Sequence, residues 1–527
     1  MKLFSQAAGV IAAALLVAGG IAPVAQGQAS QVVTPEDQDA YVQQFHHEGN
    51  TPPVVDGVGG YTEQEIAEIH EAIRQAQESG APNEELIPGE MWSDKVELPV
   101  TIDKAAADEA EIAIAQQQSQ PQTRGLAAAA ACQTFWPSPH QVCGAILERY
   151  IQQGAQFGWM LFPSEGQTLN PDGQGYRQRF MNGFVYWHPT TGAHAVNNYS
   201  AQVWERNGWE SGWMGYPTGG EVPVNGSNPI DGELSGWVQT FQGGRVYRSP
   251  VLDGFQVASI NGLILDKWLE LGGPDSDLGF PIADEAVTAD GVGRFSVFQN
   301  GVVYWHPQHG AHPILGDIYS IWREEGAESG EFGYPIGDPE KYTENMANQV
   351  FEKGELAANL YPNPLEAFIE FLPFANLEEA IEYFENGLSN SRVEANSLNA
   401  KKDSIQCQSQ SANIHVRTKS DGVGIRVPKI GFKARMDCDL PGTVSDVVGY
   451  GWIYYDYWGR WAQAAYAQQF FGNRNSVVQT NLEAGCSGEK NTLFWGTSYF
   501  QVTYEGQPYF GQSATNYAYL PCTIDRS

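Results

Sequence analysis

Four pentapeptides recur along the chain: WMLFP at 159–163, WMGYP at 213–217, DLGFP at 277–281 and EFGYP at 331–335, with their prolines 54, 64 and 54 residues apart. Thirteen residues before each proline stands an aromatic residue, Tyr150, Trp204, Trp268 or Trp322. Four residues after each aromatic stands a glycine, Gly154, Gly208, Gly272 or Gly326. Two offsets kept through four copies define a repeat protein, in which a unit buries its apolar face only against its neighbours.

Each unit has a physical reading. In the third, Ile260, Ile264, Trp268 and Leu271 recur at helical spacing and Gly272 ends the helix in a left-handed cap. The Gly-aromatic-Pro turn follows, with Glu165, Glu221, Asp284 or Asp338 close behind it. Then come FMNGFVYW at 180–187, FQGGRVYR at 241–248, FQNGVVYW at 298–305 and the decayed FEKGELAA at 351–358. Asn-Gly between alternating apolar residues signals a hairpin, because both turn residues adopt positive φ. A turn at Asn300 and Gly301 sets Phe298 opposite Val303, with Trp305 on their side and Tyr304 and His306 on the other. The first unit splits likewise, Phe180, Val185 and Trp187 against Tyr186 and His188. A second turn, HPTTG or HPQHG, returns a third strand. Such units are too small to stand alone in water, so four pack as a ring or short stack.

The rest of the 527 residues divides by composition. Residues 1–27 read as a secretory signal, with Lys2, a short apolar run and small residues at Ala25 and Gly27. Residues 28–131 read as an acidic, largely disordered spacer with one helix at 62–78, opened by a capping box of Thr62 and Glu65. Residues 132–361 hold the four repeats. Residues 362–404 read as a linker with two short helices, the second capped by Asn376. Residues 405–527, with short Val, Ile, Tyr and Trp runs between turn residues, read as an all-β sandwich, which makes the whole a multi-domain α+β chain.

The formal net charge of -33 sets nucleic acid aside as a partner. No later segment offers the run of about 20 apolar residues that a transmembrane helix needs, and LPCTIDRS at 520–527 lacks the apolar tail of a wall-sorting signal, so any wall attachment is expected to be non-covalent. Cys132, Cys143, Cys407, Cys438, Cys486 and Cys522 form an even set without the paired spacing of a zinc site, and three disulfides are expected in an exported chain.

The ordered blocks YWHPTTGAHAV, VWERNG and GWMGYP, with YWHPQHGAHPI, IWREEG and GEFGYP, resemble the LGFP repeat family of actinobacterial exported proteins over roughly residues 140–360. The family is typically appended to cell-envelope enzymes such as mycolyltransferases and amidases, so the resemblance implies attachment to wall polysaccharide, arabinogalactan in mycolate-bearing genera. Leu161 stands where the motif has glycine, and Arg248 and Ser249 stand where it has Trp and His. The fourth copy lacks the aromatic pair. The tail, through ARMDC at 434–438 and the aromatic strands after it, resembles small secreted actinobacterial β-domains. That resemblance implies pairing of Cys438 with Cys486, leaving Cys407 with Cys522 and Cys132 with Cys143.

The paired histidines, His188 with His194 and His306 with His312, are six residues apart in both copies. They lack a recurring third ligand, so no metal site is expected, and His194 and His312 are expected to bond the backbone in their turns. Tyr186, Trp187, His188, Tyr247, Tyr304, Trp305 and His306 are the candidate glycan contacts, because amphipathic rings suit the C–H faces and hydroxyls of sugars. No assembled catalytic set is visible, the acid pair Asp284 and Glu285 is expected to be solvated, and no cofactor is expected. The expectation is a secreted, non-enzymatic wall-associated protein. The alternative is an envelope hydrolase or transferase with its active site in residues 407–522 and the repeats as targeting module.

Overall fold

The computed structural model describes residues 31–45, 51–99, 102–119, 132–224, 236–250, 257–360, 371–389, 405–412, 414–420, 426–457, 459–515 and 517–524. The expected signal at 1–27 lies outside them. Eight α-helices are described: α1 Gln38–Gln43, α2 Glu63–Glu78, α3 Lys104–Ser119, α4 Gly144–Gln152, α5 Asn198–Arg206, α6 Gly262–Glu270, α7 Gly316–Glu324 and α8 Leu377–Ser389.

The repeats build antiparallel meanders that alternate with α4 to α7. The first sheet runs through Thr168–Leu169, Tyr176–Phe180, Gly183–His188 and Gly192–Asn197. The second comprises Val222–Val224, Gly236–Thr240, Gly244–Arg248 and Val257–Asn261. The third comprises Ala286–Val287, Arg294–Phe298, Gly301–His306 and Gly310–Leu315. Each helix ends where the sequence places it, at Gly154, Gly208, Gly272 and Gly326, all with φ between 88° and 115°. Left-handed backbone of this kind suits glycine, which has no Cβ to clash.

The hairpin register differs from expectation by two residues. Phe298 pairs with Gly301 and Phe180 with Gly183, so the turn residues are Gln299 with Asn300 and Met181 with Asn182. A slip of two keeps every side chain on its face, where a slip of one would exchange them. Phe298 and Val303 therefore still share one side, and Tyr304 the other.

Both sides are buried, because each sheet lies between two helices. The rings of Phe298 and Trp268 of α6 are 5.7 Å apart, while on the opposite face Tyr304 meets Trp322 of α7 edge-on at 4.8 Å. Polar ties also join one sheet to the next. Gln239 Nε2 donates to the carbonyl of Ala195 in the first sheet, and Gln349 Nε2 to that of Pro313 in the third. Gln178 Nε2 makes the equivalent bond to Gln141, in the hairpin Cys132–Phe135 and Ser138–Cys143 that caps the run ahead of α4.

The fourth sheet, Glu340–Lys341, Met346–Phe351 and Gly354–Asn359, does not stop at the repeat boundary. Gly354–Asn359 pairs with His415–Ser420, which continues through Arg426–Gly431 to Glu483–Gly485. Met346 and Ala357 accordingly sit in one apolar core with Ile430, Ile453, Phe494 and Phe500. The C-terminal region is all-β, with long strands at Ser445–Tyr457, Arg460–Gly472 and Gly488–Tyr504, but it completes the last repeat sheet instead of standing apart from it.

Two expectations are corrected. The segment taken as a largely disordered spacer carries three helices, α1 to α3, packed on the repeats. Asn198 Nδ2 donates to the Pro53 and Val58 carbonyls, and Tyr41 and Gln38 are buried against the third unit. Within it α2 has the expected capping box of Thr62 and Glu65. The disulfides are Cys132–Cys143, Cys407–Cys438 and Cys486–Cys522, so the implied pairs Cys438–Cys486 and Cys407–Cys522 do not form. Strand register decides this. Cys407 and Cys438 are directly opposite across Cys407–Ser411 and Ala434–Cys438, and the register Gly488 to Thr523 brings Cys486 beside Cys522.

Candidate functional site

Tyr186, Tyr247 and Tyr304, expected on an open face, are 5%, 2% and 2% exposed. Each ring meets the tryptophan of the next helix edge-on, Trp204 at 4.6 Å, Trp268 at 4.7 Å and Trp322 at 4.8 Å. Such contacts contribute about 0.5–1.5 kcal/mol beyond area burial, and burial raises all three phenol pKa values. These tyrosines are core and make no ligand surface.

His188 and His306 are joints between units. His188 stacks on Tyr216 at 4.4 Å and His306 packs on Tyr334 at 4.5 Å, the tyrosines of the following Gly-Tyr-Pro turns. Ser249 replaces the histidine in the second copy, and the following turn carries Phe280, so the pair changes together. His194 and His312 bond the backbone carbonyls of Thr191 and His309 at 2.7 and 2.9 Å. Among the described residues no group of three or more His, Cys, Asp or Glu is placed to hold a metal ion.

Trp187 and Trp305, half-buried on the other face, lead to the candidate site. Each is half of a cross-strand pair, Tyr176 with Trp187 and Arg294 with Trp305, and in the second sheet the same pair is Trp237 with Arg248. Tyr176 and Trp187 stack at 6.1 Å. Arg248, the residue that breaks the motif, lays its guanidinium 4.0 Å over Trp237 and 4.8 Å over Tyr199, and donates to both oxygens of Glu221 at 2.7 and 2.6 Å. A planar guanidinium serves a ring face and a carboxylate at once, which a lysine ammonium would not.

Around this pair opens a cleft of about 510 Å³, walled by Trp159, Tyr199 and Trp237, with Asn182 and Asn198 among its lining residues. Trp159 Nε1 donates to Gln153 Oε1 at 2.9 Å, which fixes the indole. The Oδ1 atoms of Asn182 and Asn198 are buried with no hydrogen-bond partner. Half-buried indoles beside amide side chains match a ligand that presents both C–H surface and hydroxyls.

By register, Asn197, Glu221, Trp237 and Arg248 correspond to Cys143, Gln167, Tyr176 and Trp187 around the first sheet, where those four line a shallower hollow of about 550 Å³. The cleft therefore recurs with the repeat.

A scan against protein-family models matches the LGFP repeat at residues 161–212, 214–276 and 278–330. These segments are LGFP repeats. A search of curated proteins finds no match to the chain. Each LGFP match opens at its Gly-aromatic-Pro turn, or at Leu161 in the first, and runs through one sheet and the following helix. The fourth turn at 332–335 and the fourth sheet fall beyond the matched span, so three LGFP repeats are found where four were expected. That last sheet pairs with the C-terminal strands.

The C-terminal region carries its own aromatic cluster, in which the rings of Trp461 and Tyr517 lie 5.7 Å apart and those of Trp495 and Tyr517 5.9 Å apart, with Trp461 46% exposed. Three disulfides and the LGFP repeats fit an extracellular protein, and among the described residues no helix is long and apolar enough to cross a membrane.

Proposed function

We propose that this is a secreted, non-enzymatic cell-wall-associated protein whose LGFP repeats bind a neutral envelope polysaccharide of the arabinogalactan kind. The supporting observation is the cleft at Arg248, where the half-buried indoles of Trp159 and Trp237 stand among amide side chains that include Asn182 and Asn197. A neutral polymer meets no Coulomb penalty from a chain of net charge -33.

Single clefts of this kind bind weakly, and the neighbouring copy at Tyr176 and Trp187 multiplies retention on a polymer by about 10² when the spacing matches. The test is co-sedimentation of the full chain with purified wall arabinogalactan, beside Trp237→Ala and Arg248→Ala. Retention reduced tenfold or more in both variants is expected. Equal retention of wild type and both variants, or none by the wild type, overturns the reading.

A further inference from the structure

The cleft recurs a third time, and there the chain occupies it. Asn207, Trp213, Asn261 and Glu285 repeat Gln153, Trp159, Asn197 and Glu221 one unit on, and the indole bond repeats with them, Trp213 Nε1 donating to Asn207 Oδ1 at 2.8 Å. Tyr41 at the end of α1, with Gln44 and Phe45 just beyond it, lines the same space, which is reduced to about 250 Å³. Tyr41 donates its hydroxyl to the Asp284 carbonyl at 3.1 Å, and the Arg206 guanidinium lies 4.7 Å over the Phe45 ring. Arg206 itself holds Asp284 through two bonds of 2.7 and 2.8 Å. The groove thus contains the ingredients of the open cleft, ring faces and an arginine paired to an acid; the N-terminal segment lines both, through Pro52, Tyr61 and Ile66 in the larger cleft and through Tyr41 and Phe45 in this smaller one.

That segment is pinned at both ends. Residues 31–33 add to the exposed edge of the third sheet, Val33 N–H donating to the Val287 carbonyl and Val287 N–H to that of Gln31, each at 2.9 Å. Within α1, Gln38 Nε2 donates to Tyr304, the Tyr319 hydroxyl donates to Gln38, and Asp39 accepts two bonds of 2.8 Å from Arg323. A helix of six residues has little stability alone. Its order comes from these contacts, which a competing ligand displaces by mass action.

We infer that the groove between the second and third sheets is a further copy of the glycan site, held closed by residues 31–45. The inference rests on the glycan reading of the open clefts. A polymer that binds there lifts the segment, so that the protein gains an additional contact only where polysaccharide is dense.

Two measurements on the full chain test this. Saturating the wild type with a short arabinogalactan-derived oligosaccharide should speed amide hydrogen exchange at Gln38–Gln43 at least severalfold, and unchanged or slower exchange there overturns the inference. In a Gln38→Ala, Asp39→Lys, Tyr41→Ala variant, exchange should show α1 released, and calorimetry should resolve one site per chain that binds the oligosaccharide at least severalfold more tightly than in the wild type. Released α1 with wild-type affinity at every site overturns the inference alone, whereas a wild type that binds no oligosaccharide overturns the glycan reading and this inference with it.

Discussion

Trp268 Nε1 donates to the carbonyl of Gly279 at 3.0 Å, and the bond recurs from Trp204 to Gly215, from Trp322 to Gly333, and from the Tyr150 hydroxyl to Leu161. The fixed offset between helix aromatic and Gly-aromatic-Pro turn is therefore a hydrogen bond that ties each helix to the turn after it. The acceptor residue sits at φ 65° to 70° in the glycine copies and 58° at Leu161. Removing the donor while keeping the ring, Trp268→Phe, leaves a buried carbonyl without its partner and should cost about 1–3 kcal/mol. Urea unfolding at neutral pH measures it, and a loss below about 0.5 kcal/mol would show the bond to be incidental.

How far such features could be read beforehand depended on their range along the chain. The caps at Gly208 and Gly272 and the face assignment of Phe298 against Tyr304 follow from local offsets. Which face is open does not, because period two implies one wet side and a sheet held between two helices has none. The occupied groove was hidden for a related reason. Tyr41 and Gln38 find their partners 243 and 266 residues away, and six helical residues leave no periodicity to detect. Arg248 read as a decayed motif residue, and only the cross-strand register with Trp237 gives it a role. Asp284 and Glu285 read as solvated turn acids until the third sheet and α1 closed over them.

Glu285 shows what that burial does. Desolvation outweighs the attraction of Arg294 and pushes its carboxyl up to about 8. Between the usual carboxylate range and that value the folded state keeps a proton that the unfolded chain has released, so this group makes stability fall as pH rises. Glu285→Gln removes the titration. Relative to wild type it should be more stable by about 3 kcal/mol at pH 8 than at pH 5, read from chemical denaturation at both. A difference that does not change with pH would place the titration elsewhere.

The cysteine pairing gives a direct covalent test. Proteolysis without reduction, followed by mass spectrometry, should yield peptides joining Cys407 to Cys438 and Cys486 to Cys522, which close loops of 31 and 36 residues. By loop-closure entropy each stabilises the fold by about 3–4 kcal/mol. Cys486→Ser with Cys522→Ser should therefore lower unfolding stability by that order while the Cys407 to Cys438 peptide persists. Recovery of a Cys438 to Cys486 peptide from native protein would contradict the strand register.

The junction of repeats and C-terminal strands carries the last prediction. Arg417, 5% exposed, donates to Glu325 beyond the end of α7 at 2.8 Å, and Lys433 approaches the same carboxylate at 3.2 Å. Arg417 lies on His415–Ser420, the strand that extends the fourth sheet, so one side chain ties the last repeat helix to the strands that complete its neighbouring sheet. Arg417→Ala strands a mostly buried carboxylate, a change that costs about 3–5 kcal/mol when no counter-charge remains. Lys433 stays, so the loss should fall at the lower end of that range. Because Gly354–Asn359 and His415–Ser420 share one ladder and one core, their amides should lose hydrogen-exchange protection together in the variant. If His415–Ser420 opens while Gly354–Asn359 keeps wild-type protection, the C-terminal region folds independently of the repeats, and the continuous sheet is contact without cooperativity.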